Sequence, residues 1–403
     1  MQQILIFKMK RLFFVFAFII PMVIHAQTLK TDVLVIGSGD AAYSASFQSF
    51  RSGVKTILLT QKEQLDLKKI SESKPKEVTL FYQSFLKREI ENAKSLETPK
   101  PKPDKKKPVK VTVDSTLLLS VVNSTPYTEI KRSGIGWEVK LTKDKSIRAK
   151  VLVMADNPEK LITALKITSL NPATSNQLNY RENLYRTTVA GVSSKGASFL
   201  SLYSLLIPNQ ENLLYISADQ FEIGPAAGAT AAYAAFFDTK TSLSNLKRIQ
   251  GELLAYKHTL MPFGDVKAID SNWLAIQKVG ITGIIKAEIK QDKAYFNPEK
   301  DVTYDEIKQP IKDYYYKAQI WFDDHQNIPI NLENAIAMIC YVGNKSIEAT
   351  KTELQKKWNK NYKFTSKYDL KKVLTRREFA VIINEYLKPF DDVNVDKTGR
   401  VIR

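Results

Sequence analysis

Two short apolar runs on either side of a glycine turn constrain this chain more than any other feature. Val33-Leu34-Val35-Ile36 leads into Gly37-Ser38-Gly39-Asp40-Ala41-Ala42, a helix-like stretch follows, and Thr56-Ile57-Leu58-Leu59 closes the unit. Strand, glycine turn, helix and strand within about thirty residues predict a β-α-β unit of parallel sheet. Gly37 permits the tight turn, and Gly39 lets backbone approach a pyrophosphate. Asp40, Ala41 and Ala42 open the helix, so its free N–H groups and positive dipole end would face the phosphates. The unit therefore predicts a dinucleotide site. Ala42 stands where a third glycine is usual, a position that requires only close helix–strand packing. The end of the second strand departs further. An acid there would accept hydrogen bonds from the ribose hydroxyls, but the chain reads Thr60-Gln61, and the nearest acid is Glu63. Uncharged acceptors make bonds roughly half as strong as charged ones, so weakened binding is expected.

The 403 residues give room for two or three domains, and 44% apolar with 25% charged residues describes an ordinary folded protein. One segment differs. Lys8, Lys10 and Arg11 precede an apolar run over residues 12–24, and His25-Ala26-Gln27 closes it. This is the pattern of a signal peptide cleaved after Ala26, which predicts export to the periplasm or beyond. A membrane anchor would need about 20 apolar residues, so no membrane span is expected after cleavage. The remaining chain holds one cysteine, Cys340, in an apolar context. It can form no intrachain disulfide and reads as a buried small side chain. The formal charge of +18 would suit nucleic acid. Export argues against that partner, and anionic cell-surface polymers fit better. No metal-ligand cluster is visible. His258 and His325 lie in no motif, so no catalytic acid or base can be named.

After Thr60 the chain turns polar. Residues 77–94 carry Leu80, Phe81, Phe85, Leu86 and Ile90 at helical spacing, and residues 99–108 hold four prolines and five lysines. The latter read as an extended, solvated linker. Strand patterns follow at residues 109–113, 116–122, 127–130, 137–141 and 149–154, with Gly134-Ile135-Gly136 as a turn. They predict a β-meander whose last strand rejoins the dinucleotide sheet. Residues 161–167 read as a short helix. Farther on, Leu213-Leu214-Tyr215-Ile216-Ser217-Ala218-Asp219 reads as a strand ending in a carboxylate. Gly224-Pro225-Ala226-Ala227-Gly228 then starts a helix running to about residue 237, whose small residues let it approach backbone or ligand closely. Residues 265–403 turn helical and aromatic, in two loosely similar halves. Thr303 and Thr375 read as helix N-caps, with Glu306 and Glu378 placed to complete capping boxes.

Together, residues 32–61, 137–156 and 205–237 resemble the FAD-dependent oxidoreductase family of secreted bacterial flavoproteins, some of them xanthan lyase-like. The resemblance implies an α/β, Rossmann-type FAD/NAD(P)-binding domain with an inserted β-meander. It implies that Gly37, Gly39, Asp40, Ala41 and Ala42 hold the pyrophosphate and that Thr60 and Gln61 meet the ribose. Asp219 with Gly224, Ala226, Ala227 and Gly228 would take the ribityl and phosphate end. The C-terminal part resembles S-layer homology repeats through Trp273, Gly283, Phe296, Pro298 and Thr303, with Ala287 where a glycine is usual. That resemblance implies a cell-wall polysaccharide partner. Ala155-Asp156-Asn157 departs from the family's Ala-Thr-Gly turn, and residues 61–69 lack the glycine loop that follows the second strand in relatives. The expectation is thus a signal peptide at 1–26, an FAD-binding domain at 27–263 with an insertion at 62–108, and a helical domain at 264–403. The expected activity is oxidoreduction with FAD on an unknown small molecule or glycan. The alternative is a degenerate relative without catalysis that binds at the cell surface. An NAD-binding protein is a third reading, against which the missing acid counts equally.

Overall fold

The computed structural model describes residues 28–62, 118–142, 144–194, 196–218 and 220–403. The leader, the helix expected over 77–94, the Lys/Pro linker, the strand expected over 109–113 and Asp219 lie outside the described residues.

Strand β1 (Thr28–Ile36) runs into the glycine turn, then helix α1 (Asp40–Arg51) and strand β2 (Thr56–Leu59). The parallel partners of β1 are β2 on one side and β6 (Ser146–Met154) on the other. Strand β3 (Leu119–Val122) extends the sheet beyond β2. The meander is formed by β4 (Tyr127–Ser133), β5 (Gly136–Leu141) and β6. It rejoins the sheet as expected, because β5 pairs antiparallel with the first half of β6. The second half of β6 pairs in parallel with β11 (Gln210–Tyr215), through Leu213↔Leu152 to Tyr215↔Met154. With β10 (Leu206–Ile207) at the edge, this is one eight-stranded sheet. The fold is α/β of Rossmann type, as the residue pattern implies.

Strand side chains alternate between two covered faces, which is why β1, β2 and β6 read as continuous apolar runs. Val33, Val35, Leu58, Val151 and Val153 pack under α1 and α3 (Ile223–Phe236). Leu34, Ile36, Ile57, Leu152 and Met154 pack against Trp137, Val139 and Ile130 of the meander and Leu161 of α2 (Glu159–Leu165).

A three-stranded sheet of β7 (Asn176–Gln177), β9 (Ser198–Ser201) and β8 (Thr188–Val192), in that order, leads to α4 (Leu246–Ala255) and the helical half. The junction is tightly made. Gly191 N–H donates to the Thr259 carbonyl at 2.8 Å, and Arg186 Nε donates to the Thr282 carbonyl at 2.9 Å. The Tyr185 hydroxyl occupies the space a Cβ would need at Gly283, whose φ of +73° ends α5 (Trp273–Thr282). Buried apolar side chains on both sides of residue 263 belong to one continuous cluster.

Beyond α5, a hairpin of β12 (Glu288–Lys290) and β13 (Lys293–Tyr295) precedes helices α6 (Tyr304–Tyr314), α7 (Tyr316–Asp324), α8 (Leu332–Gly343), α9 (Ile347–Lys357) and α10 (Arg376–Tyr386). The starts of α6, α8 and α10 meet. Val302 N–H donates to the Leu374 carbonyl at 2.9 Å, and Leu374 N–H donates to the Ile330 carbonyl at 3.0 Å. Val302, Ile330 and Leu374 are buried there, each directly before an N-cap: Thr303, Asn331 and Thr375. The sequence suggested two similar phrases, and the fold has three. Both bonds of a capping box form at Thr375. At Thr303 the cap bond is to Glu306 N–H at 3.3 Å, while the Glu306 carboxylate pairs with Arg376 at 2.8 Å.

Candidate functional site

The C-terminal ends of β1, β2, β6 and β11 point to one edge of the sheet. The chain leaves β1 toward β2 and later enters β6 on the opposite side of β1, so the order diverges between β1 and β6. In open α/β sheets ligands bind at such a switch point. The glycine turn lies there.

Gly37 bridges the two neighbours of β1. Its N–H donates to the Leu59 carbonyl at 3.0 Å, while Ala155 N–H donates to the Ile36 carbonyl at 2.7 Å. With φ at +155°, a Cβ on Gly37 would stand 2.7 Å from the Ala155 oxygen. Gly39 is the N-cap of α1 in extended conformation and makes no side-chain cap bond. A Cβ there would stand 2.4 Å from the Ala218 oxygen, and the same oxygen accepts the Ala41 N–H at 3.2 Å. The turn, the loop after β6 and the loop after β11 therefore converge within contact distance. Residues 37 to 40 are all buried, and the Asp40 carboxylate stands in the first turn of α1, at the positive end of the dipole.

The second glycine pair serves the helix packing. Gly224 and Gly228, one turn apart, face α1: a Cβ would stand 1.9 Å from Ser44 Oγ at the first and 2.3 Å from the Ala45 oxygen at the second. Ser44 Oγ donates to the Phe221 carbonyl at 3.0 Å and Ser49 Oγ to the Gly228 carbonyl at 3.0 Å. Ala226 and Ala227 are fully buried beside them. This contact binds α3 to α1 and so fixes the loop carrying Ala218 over Gly39. Sequence reasoning did not single out Ser44 and Ser49; their spacing of five along a helix with Ala41 and Ala45 was the available signal.

Thr60 and Gln61 follow β2. Thr60 is buried, its Oγ1 accepts the Lys62 N–H at 3.2 Å, and its backbone bonds to Val122 and Thr125. Gln61 is exposed. Asp156 and Asn157 form a local turn after β6, in which Asn157 Oδ1 accepts the Glu159 N–H at 3.0 Å. Burial, with Asp156 and Glu159 nearby, pushes the Tyr127 hydroxyl up to about 12.

Neither histidine joins the edge. His258 lies behind α1, its Nε2 3.1 Å from Gln48 Oε1, and burial followed by the nearby Arg51 charge lowers it to about 3. His325 stacks on Trp321 with ring centroids 4.6 Å apart. Cys340 is buried, and its thiol lies 3.4 Å from Thr350 Oγ1.

A fit test for FAD gives a split result. At the pyrophosphate position the backbone type fits, with a glycine turn, a helix start without a side-chain cap and a switch-point location, but the turn is buried and the Ala218 carbonyl already takes the Ala41 N–H beside Gly39. At the ribose position it is poorer, since Thr60 Oγ1 already serves Lys62 and no acid follows β2 directly.

No protein-family model matches the chain, so the likeness to xanthan lyase-like flavoproteins and S-layer homology repeats finds no support there. No curated protein matches it either. Among solved structures, bacillithiol disulfide reductase from Staphylococcus aureus is 16% identical over 32% of this chain and 39% of its own, with a TM-score of 0.20. Thioredoxin reductase from T. acidophilum is 16% identical over 32% of this chain and 36% of its own, with a TM-score of 0.19. L-proline dehydrogenase from P. horikoshii is 13% identical over 39% of this chain and 25% of its own, with a TM-score of 0.21. The chain thus spans two fifths or less of the length of each. Likeness of this extent defines no family, and the site must be read from its own geometry.

Proposed function

We propose that the chain is an exported FAD-dependent oxidoreductase that acts on a small molecule or glycan. The observation that carries this reading is the glycine turn at the switch point, leading into a helix whose start is left without a side-chain cap. In this reading Gly37 and Gly39 let the diphosphate lie against backbone, and the first turn of α1 faces its charge. Thr60 and Gln61 would meet the adenosine ribose, and Asp219 with the start of α3 the ribityl chain. When bound, the flavin would supply the electron-pair acceptance. The chain's own residues would bind and orient it. Export rests on the basic, apolar and cleavage segments of residues 8–27. The test is the visible spectrum of the purified protein before and after incubation with FAD. Oxidised-flavin bands that persist through gel filtration are expected; a colourless protein that takes up no FAD would overturn the reading.

One observation favours a second reading, a protein that keeps the fold without the flavin. The Ala218 carbonyl takes the Ala41 N–H and fills the space beside Gly39, so backbone packing by itself requires that glycine. Such a protein would act at the cell surface through the helical half, whose three matching helix starts meet at Val302, Ile330 and Leu374. Retention of the apo-protein on purified cell-wall polysaccharide, together with no FAD uptake, would establish it.

A further inference from the structure

The edge of the sheet opposite the glycine turn combines a cationic groove with exposed apolar side chains. Lys30, Lys55, Arg148 and Lys150 line one open groove with a single carboxylate, Asp32. Lys30 pairs in register with Arg148 across β1 and β6, which places these two cations side by side on adjacent strands. Lys30 and Lys55 form no ion pair among the described residues. Lys150 holds Asp32 at 3.2 Å and Asp238 at 3.8 Å, and Arg148 lies 3.4 Å from Glu138. Unpaired positive charge therefore remains in the groove.

Large apolar side chains stand exposed around it. Ile135, in the turn between β4 and β5, is 58% exposed and is itself a wall of the groove. Phe236 and Phe237, at the end of α3, are 66% and 47% exposed, and Leu243 is 67% exposed. Bonds tie them to one face. Lys150 Nζ donates to the Ala235 carbonyl at 3.1 Å, directly before Phe236. Asn212 Nδ2 donates to the Ile135 carbonyl at 3.2 Å, while Asn212 N–H donates to Thr241 Oγ1 at 3.0 Å, two residues before Leu243. Arg248 lies over the Phe237 ring at 5.4 Å. Exposed aromatic and aliphatic side chains that share a face with cations form the pattern that lies in a bilayer's interface, with rings at the headgroup level and cations on anionic lipid. Exposed apolar surface gathered with cations on one face is the pattern of an interaction site.

We propose that this face, formed by Ile135, Phe236, Phe237 and Leu243 with Lys30, Lys55, Arg148 and Lys150, docks the protein on an anionic lipid surface. Docking there leaves the opposite edge, with the glycine turn, facing away from the membrane.

The test uses the chain from Gln27 onward, which retains every described residue and removes the leader as a source of affinity. Co-sedimentation is measured with vesicles of phosphatidylcholine alone and of phosphatidylcholine with phosphatidylglycerol. Binding to the anionic vesicles only, weakened as salt is raised from about 0.1 M to about 0.5 M, is expected from screening. The variant Phe236→Ser, Phe237→Ser, Leu243→Ser should bind at least about tenfold more weakly at an unchanged melting temperature. Lys30→Gln with Lys55→Gln should lose a smaller factor and most of the salt dependence. A second variant, Lys105→Gln, Lys106→Gln, Lys107→Gln, separates this face from the lysine-rich linker. If the linker variant loses binding while the triple serine variant keeps it, the proposal is overturned. Equal binding to neutral vesicles also overturns it. So does a self-association in solution that the serine substitutions abolish, because a second copy would then be the occupant.

Discussion

The two halves of the molecule differ in how many of their helix starts are capped by a side chain: most are in the helical half, where α5 and α7 are exceptions, and only α4, through Asn245, is on the sheet side. In the helical half, α6, α8, α9 and α10 begin with Thr303, Asn331, Ser346 and Thr375, and each side chain accepts a backbone N–H from the first turn. At the sheet edge, α1 begins with Gly39 and α3 with Glu222, and neither makes a side-chain cap bond. A cap is worth about 1 kcal/mol, so helix starts without one forgo stability that the same chain secures elsewhere. The starts of α2, α5 and α7 also lack a side-chain cap, but α1 and α3 are the uncapped pair whose starts meet at the switch point. Donors satisfied by a side chain serve the fold, whereas donors left to backbone approach can serve a ligand. On the proposed reading, the meeting of two uncapped starts at the switch point makes the sheet edge the place for binding and the joined helix starts scaffold.

The largest test of that division is Gly228→Val, whose side chain would meet the Ala45 carbonyl, already 2.3 Å from a Cβ at this position. Forcing α3 away from α1 should cost about 3 kcal/mol or more by denaturant unfolding, with loss of any flavin uptake. An unchanged unfolding midpoint would mean the two helices are not locked together. Next is Arg376→Met in the helical half. Burial already raises the Glu306 carboxyl above its usual range, with Arg376 the main opposing influence. Removing the cation should cost about 3 kcal/mol, and Arg376→Met with Glu306→Leu should recover most of it. Neither change should alter flavin uptake per folded molecule; an effect there would break the division.

Acid should act on the sheet side. His258 has a folded pKa lowered to about 3, below the usual 6.5. Between those values the unfolded chain binds a proton that the folded chain excludes, so stability is level above 6.5 and falls as pH drops toward 3. A loss of about 1 to 2 kcal/mol from pH 7 to about 5 is expected, less than the full linkage because His258 is only half-buried by area. His258→Gln should flatten this slope; an unchanged slope would move the cause elsewhere. The smallest effect belongs to Thr375→Ala, which removes the one complete capping box among the described residues. It should lower stability by about 1 kcal/mol and leave the sheet edge untouched.

Local chemistry was legible in the residues, and long-range fit was not. The apolar runs at Val33 and Val151, the turn at Gly37 and the caps at Thr303 and Thr375 are set by neighbours in the chain, and all appear where the pattern puts them. The cap at Asn331 escaped because Asn334, with no acid, stands three residues on. Strands β7, β8 and β9 escaped because they are two to five residues long, too short for alternation to register. The partner of Gly224 and Gly228 could not be read either: small residues announce a close approach, but only the fold chooses between α1 and a ligand. The packing of Tyr185 into the space at Gly283 has the same character, since it depends on two surfaces almost a hundred residues apart.

The central claim is that the uncapped edge takes a flavin. Titrating FAD into the purified protein and following flavin fluorescence tests it most directly. Saturable quenching at one FAD per chain, lost in Gly228→Val and kept in Thr375→Ala, is the predicted result. Fluorescence that stays that of free FAD throughout the titration would contradict it.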